Sequence, residues 1–125
     1  MNGKIDIRKG VLLVDDDPNI LFIGKFALKK SGYSVFVAEN SEKALQIFEK
    51  NWKKISCVVL DFAMPGMNGV ECLGKLREID PYAKIVISTG YEFDDLPKKL
   101  EIEGFLKKPY TIDTIRELVM EIAGN

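Results

Sequence analysis

Histidine is missing from this chain: none of its 125 residues is one. That absence removes Ser-His-Asp and Cys-His catalytic pairs and any histidine-ligated zinc or haem. It also means that phosphoryl chemistry on this chain must end on a carboxylate or a hydroxyl. Cysteine is scarce, with only Cys57, in a strand-like run, and Cys72, in a helix-like segment. The two show no metal-ligand spacing and read as reduced, buried thiols. A charge excess is lacking too. Eighteen basic residues against 19 acidic ones leave a net charge of -1, so no basic field points to nucleic acid or an anionic membrane. No apolar run approaches the length of a membrane span, and Met1 to Lys9 is polar and mixed, unlike a signal peptide. A cytoplasmic protein without membrane insertion is expected.

The composition that is present, 46% hydrophobic and 30% charged, suits one compact domain with no room for a second. Apolar runs alternate with amphipathic segments, the pattern of an α/β protein with a doubly wound, five-stranded parallel sheet and helices on both faces. Five rounds can be counted. The first strand covers about Gly10 to Val14, followed by Asp17 as helix N-cap, Pro18 at the first helical position, a helix to about Lys30, and Gly32 at its stop. Val35 to Ala38 forms the second strand, and Ser41 caps a helix that buries Ala44, Leu45 and Phe48. Residues 56 to 60 form a third strand covered on both faces. A loop with Pro65, Gly66 and Gly69 leads to a helix burying Leu73, Leu76 and Ile79 and stopping at Asp80-Pro81. Ile85 to Ile87 is the fourth strand. Pro97 restricts the next helix to a short one starting near Asp94 or Asp95. Gly104 to Lys107 is the fifth strand, and Thr111 caps a last helix burying Ile115, Leu118, Val119 and Ile122. Residues 1–9 read as a leader and 10–123 as the domain.

The most informative feature is where the acids fall. Val11-Leu12-Leu13-Val14 runs straight into Asp15-Asp16-Asp17, and Cys57-Val58-Val59-Leu60 runs into Asp61. If both runs are parallel strands of one sheet, their carboxyl ends place these acids in one crevice, the usual ligand site of open α/β sheets. Two carboxylates about 4 Å apart repel by roughly 4 kcal/mol at an effective dielectric near 20. They therefore share protons or hold a hard cation, and Mg²⁺ is the cation we expect. Thr89 and Lys108 follow the fourth and fifth strands and add a hydroxyl and an ammonium. This is equipment for phosphoryl transfer, in which a carboxylate attacks phosphorus while lysine and hydroxyl contact the equatorial oxygens. Aspartates also cap helices, and Asp17 before Pro18 is read as a cap. Met64 and Met67 read as packing residues beside the turn.

Taken together, Val-Asp-Asp after the first strand, Leu-Asp-Phe-Ala-Met-Pro-Gly-Met-Asn-Gly after the third, Ser-Thr-Gly after the fourth and Lys-Lys-Pro after the fifth resemble the receiver (phosphoacceptor) domain of two-component response regulators. The resemblance covers residues 9 to 123. It implies a flavodoxin-like (βα)5 fold and a Mg²⁺-dependent switch, not an enzyme with its own substrate. Asp61 would take a phosphoryl group from a phosphohistidine of a sensor histidine kinase or phosphotransfer protein, or from a small phosphodonor. By the same resemblance Asp16 binds the metal directly, Asp15 mainly through water, and the backbone carbonyl of Ala63 completes the protein ligands. Thr89 is the switch hydroxyl, Lys108 pairs with the phosphoryl oxygens ahead of a cis Pro109, and Phe105 is the aromatic that moves with Thr89. Residues 91 to 123 would form the signalling surface read by a downstream protein or linked domain.

Two departures stand out. The stretch between Thr89 and Lys108 is short, which implies a short or distorted fourth helix. Ala63 cannot orient a hydrolytic water, and Tyr91 is bulky, so slow spontaneous dephosphorylation is expected. Two alternatives compete with the switch. A haloacid-dehalogenase-type phosphohydrolase would need a second acid where Ala63 stands. A flavodoxin-like binding module for a phosphate-bearing cofactor would need to place that phosphate against Asp15-Asp16-Asp17 without a metal, and a degenerate receiver would act as a binding module without phosphate.

Overall fold

Five strands, β1 (Gly10–Val14), β2 (Ser34–Ala38), β3 (Ile55–Asp61), β4 (Ile85–Thr89) and β5 (Gly104–Lys107), form one sheet in the order β2-β1-β3-β4-β5. Every neighbouring pair is parallel. The structure, a computed structural model, describes residues 8–64, 68–98 and 100–123. Most of the expected leader, the loop residues Pro65 and Gly66, and Met67 lie outside the described residues. The chain steps outward from β1 to β2, then returns past β1 to β3. That reversal opens a crevice at the carboxyl ends of β1 and β3.

Four helices, α1 (Pro18–Lys30), α2 (Ser41–Asn51), α3 (Gly69–Ile79) and α4 (Ile112–Ala123), cover the two faces. Alternate residues of the inner strands divide between two cores. Leu12, Val14, Val58, Leu60, Ile85 and Ile87 pack with Ala44 and Phe48 of α2 and Leu76 of α3. Val11, Leu13, Cys57, Val59 and Val86 pack with Leu28 of α1 and Ile115 and Val119 of α4. β1, β3 and β4 are buried along their whole length, as their unbroken apolar runs require. Both cysteines are free thiols in these cores, where burial pushes Cys57 up to about 12 and Cys72 up to about 11.

The helix signals were largely legible. Asp17 caps α1 by accepting from Asn19 N at 2.9 Å, with Pro18 first in the helix. Gly32 takes φ 97°, a left-handed conformation, just past its end. Thr111 Oγ1 accepts from Thr114 N at the start of α4. One cap is corrected: Asn40, not Ser41, closes α2, its side chain accepting from Lys43 N at 2.8 Å.

The five-helix expectation is also corrected. Among the described residues, β4 and β5 are joined without an α-helix, through a three-residue 3-10 turn at Phe93–Asp95. Leu96 precedes Pro97 and is extended, at ψ 155°, because the proline ring disfavours the helical region for the residue before it. The helix expected from Asp94 or Asp95 therefore stops where it would have begun.

Candidate functional site

β1 and β3 are in register, Val14 beside Leu60, so Asp15 and Asp61 emerge side by side. Both are almost fully buried, at 1% and 3% exposure. Lys108 comes from the far side of the crevice, its backbone N–H bonded to Thr89 O at 2.8 Å. Its Nζ lies 2.8 Å from Asp15 Oδ2 and 3.0 Å from Asp61 Oδ2. The other oxygen of each acid accepts a backbone amide two residues on: Asp17 N to Asp15 Oδ1 at 2.9 Å, and Ala63 N to Asp61 Oδ1 at 3.0 Å. Asp16 stands at the exposed rim. One carboxylate oxygen from each of Asp15, Asp16 and Asp61 lies within 4.8 Å of the others.

Three carboxylates thus face a single ammonium. Burial raises the pKa of Asp15 despite the hydrogen bonds from Lys108 and the Asp17 amide, and the nearby Asp61 charge adds to the rise. For Lys108 burial acts downward, yet the hydrogen bonds and charges of Asp15 and Asp61 outweigh it and hold the ammonium above its usual range. Both shifts describe one site short of positive charge. An all-oxygen donor set of this kind suits a hard divalent cation.

The remaining expected residues sit where the strand ends place them. Thr89 is fully buried, and its Oγ1 accepts from Tyr91 N at 3.2 Å. Phe105, half-buried on β5, meets the ring of Phe93 edge-on, with centroids 5.4 Å apart and planes at 79°. The Lys108–Pro109 bond is cis. Met64 is buried, in keeping with a packing role.

Some neighbours of the site were not foreseen. Tyr110 packs against the α1–α4 core, and burial pushes its phenol up to about 12. α1 exposes Phe22 (74%), Ile23 and Phe26. Ile20 and Ile23 line an apolar hollow of about 340 Å³ with Lys108, Pro109 and Tyr110. The available signal was a helix with apolar residues on both of its sides, more than one buried stripe needs.

A buried acid pair bridged by lysine at the switch point of a doubly wound sheet is a site suited to phosphoryl chemistry. A sequence profile of the response regulator receiver domain matches residues 11–120, and the chain belongs to that family. It is therefore a phosphoacceptor switch of two-component signalling, not an enzyme acting on its own substrate. It is 35% identical over 116 residues to sporulation initiation phosphotransferase F of Bacillus subtilis (strain 168), covering 90% of this chain and 92% of that protein. It is 34% identical to sensor kinase CckA of Brucella abortus (strain 2308), but spans only 12% of that longer protein. The crystal structure of response regulator TrrA from Thermotoga maritima in complex with Mg(2+)-BeF is 34% identical and superposes with a TM-score of 0.79, covering 91% of this chain and 98% of that one. Nothing favours the phosphohydrolase alternative. No described helix is long and apolar enough to cross a membrane.

Proposed function

We propose that Asp61 is the phosphoacceptor, with Asp16 and Asp61 as direct side-chain ligands of Mg²⁺, Asp15 acting through water, and the carbonyl of Ala63 completing the protein ligands. One observation carries this reading: Lys108 Nζ bridges Asp15 and Asp61 at 2.8 and 3.0 Å, beside a trio of carboxylates whose oxygens lie within 4.8 Å of one another. This division of labour is the one the receiver resemblance implies. Asp15 and Asp61 are each held by Lys108 on one oxygen and by a backbone amide on the other, whereas Asp16 faces solvent at the rim. The bound metal would offset the charge of the carboxylates and of the incoming phosphoryl group.

In the transfer, a carboxylate oxygen of Asp61 forms a bond to phosphorus. The P–N bond of the donor phosphohistidine breaks, and its electron pair returns to the imidazole. Lys108 is held beside the attacking group and neutralises the phosphoryl oxygens. Thr89 then turns its hydroxyl towards them and Phe105 follows, favouring a conformation that gains contacts available only there. With no histidine in the chain, the donor imidazole comes from a sensor kinase or phosphotransfer protein. The exposed face of Phe22, Ile23 and Phe26, continuous with the hollow beside Lys108, is the surface such a donor would cover. The experiment is incubation with acetyl phosphate and Mg²⁺, read by intact mass. A stoichiometric, base-labile phosphoryl adduct that disappears in Asp61→Asn is expected. An adduct that persists in that variant rules out Asp61 as the acceptor.

A further inference from the structure

At the opposite, amino-terminal end of the sheet lies a basic cavity that phosphorylation does not use. Its volume is about 460 Å³, within the range of small-molecule sites. Arg8 and Lys9 line it from the segment before β1, Lys53 and Lys54 from the 3-10 turn before β3, and the ring of Phe36 from β2. None of the described residues that line it is acidic.

The convergence of these two basic segments is built into the backbone. A Cβ on Gly10 would stand 2.5 Å from Lys54 O, so only glycine lets the start of β1 press against that turn. The β1–β3 register shifts between Gly10 and Val11, and the buried Ser56 hydroxyl donates to Gly10 O at 3.2 Å. Ser34 N bonds Lys9 O at 2.7 Å and ties the third wall. A glycine at a strand irregularity often marks a close approach of this kind.

Lysines at a helix end are commonly explained by the helix dipole, but α2 presents only about half a negative charge at its carboxyl terminus. Arg8 also leans on Asp80, 3.6 Å away. Three lysines converge on this cavity on a chain whose net charge is -1.

We propose that this cavity binds a nucleoside polyphosphate, the lysines pairing with its phosphates and Phe36 contacting the base. Charge-assisted bonds hold the phosphates, while an aromatic wall distinguishes a nucleotide from bare polyphosphate. Trp52, the single tryptophan, reports on the site, because Lys53 Nζ lies 5.7 Å from its ring centroid.

The test is calorimetric titration of the full chain with ATP in EDTA, with Trp52 emission followed in parallel. Saturable, salt-sensitive binding is expected. Lys53→Glu and Lys54→Glu, both exposed, should each weaken it at least about tenfold, the size of one charge-assisted hydrogen bond, while acetyl phosphate labelling stays at the parent level. Phe36→Leu should weaken ATP but not tripolyphosphate. Absence of saturable binding, binding indifferent to the charge reversals, or tripolyphosphate binding as tightly as ATP would overturn the assignment.

Discussion

Two successive crossovers leave the same sheet differently. β3 reaches β4 through the eleven-residue helix α3, whereas β4 reaches β5 through a 3-10 turn and a strap with no other helix among its described residues. They nevertheless begin alike. Ala63 N turns back onto Asp61 Oδ1 at 3.0 Å, and Tyr91 N turns back onto Thr89 Oγ1 at 3.2 Å. In each case the amide two residues past the strand end holds the strand-end side chain in place.

Beyond that point they diverge. α3 seats Cys72, Leu73 and Leu76 in the core. The strap seats Leu96, with Leu100 and Ile102 partly buried, and leans Phe93 on Phe105. Its far end is fixed by one acid: Glu103 Oε1 accepts from Ile85 N at 2.7 Å and from Arg77 at 2.9 Å. The difference teaches that the chemistry constrains the strand ends strictly, while the stretch beyond them need only cover the sheet. The part of the expected 91–123 surface that precedes β5 is therefore a strap, followed by β5 and α4.

The largest effect should come from breaking the strand-end side of this comparison. Asp61→Asn should abolish labelling by acetyl phosphate while leaving the circular dichroism spectrum unchanged. Next is Ala63→Asn at the start of the α3 crossover. It should shorten the phosphoryl lifetime several-fold, measured as decay of the labelled protein, and an unchanged decay would show that this side chain does not set it.

The strap is broken instead by Glu103→Ala, which leaves the buried Ile85 N–H without its side-chain acceptor. Urea unfolding should show a loss of about 1–3 kcal/mol, with labelling retained. Phe93→Ala removes an edge contact whose partner ring is only half-buried, and should cost about 0.5–1.5 kcal/mol in the same assay.

The smallest effect concerns pH. Lys108 has a folded-state pKa raised above the ordinary 10.5, so the folded state holds that proton more tightly than the unfolded one. Its contribution is complete below 10.5 and is lost as pH rises through the higher folded value. Lys108→Met should lack that alkaline component, seen by comparing urea midpoints on either side of this window.

The strand ends were readable because an apolar run that stops at an acid, a threonine or a lysine fixes its position to within a residue. Asp15, Asp61, Thr89 and Lys108 all fall there. Pro97 signalled the missing helix, since its ring acts locally. The Glu103 tie carried no sequence signal, because an acid before a strand looks like any solvated acid until Ile85 and Arg77 are brought to it. Asn40 against Ser41 was a choice between two good caps in adjacent positions, decided only by which backbone turned extended. The exposed face of α1 lay hidden for a related reason: periodicity marks the side that is buried and says nothing of apolar residues on the other side, such as Phe22, Ile23 and Phe26.

Thr89 is held twice, its carbonyl by the Lys108 amide and its hydroxyl by the Tyr91 amide. A rotation about χ1 that carries the hydroxyl into the crevice leaves the first bond intact and removes the second. The Tyr91 amide would then lose its acceptor, so its deuterium uptake is expected to rise when the hydroxyl turns.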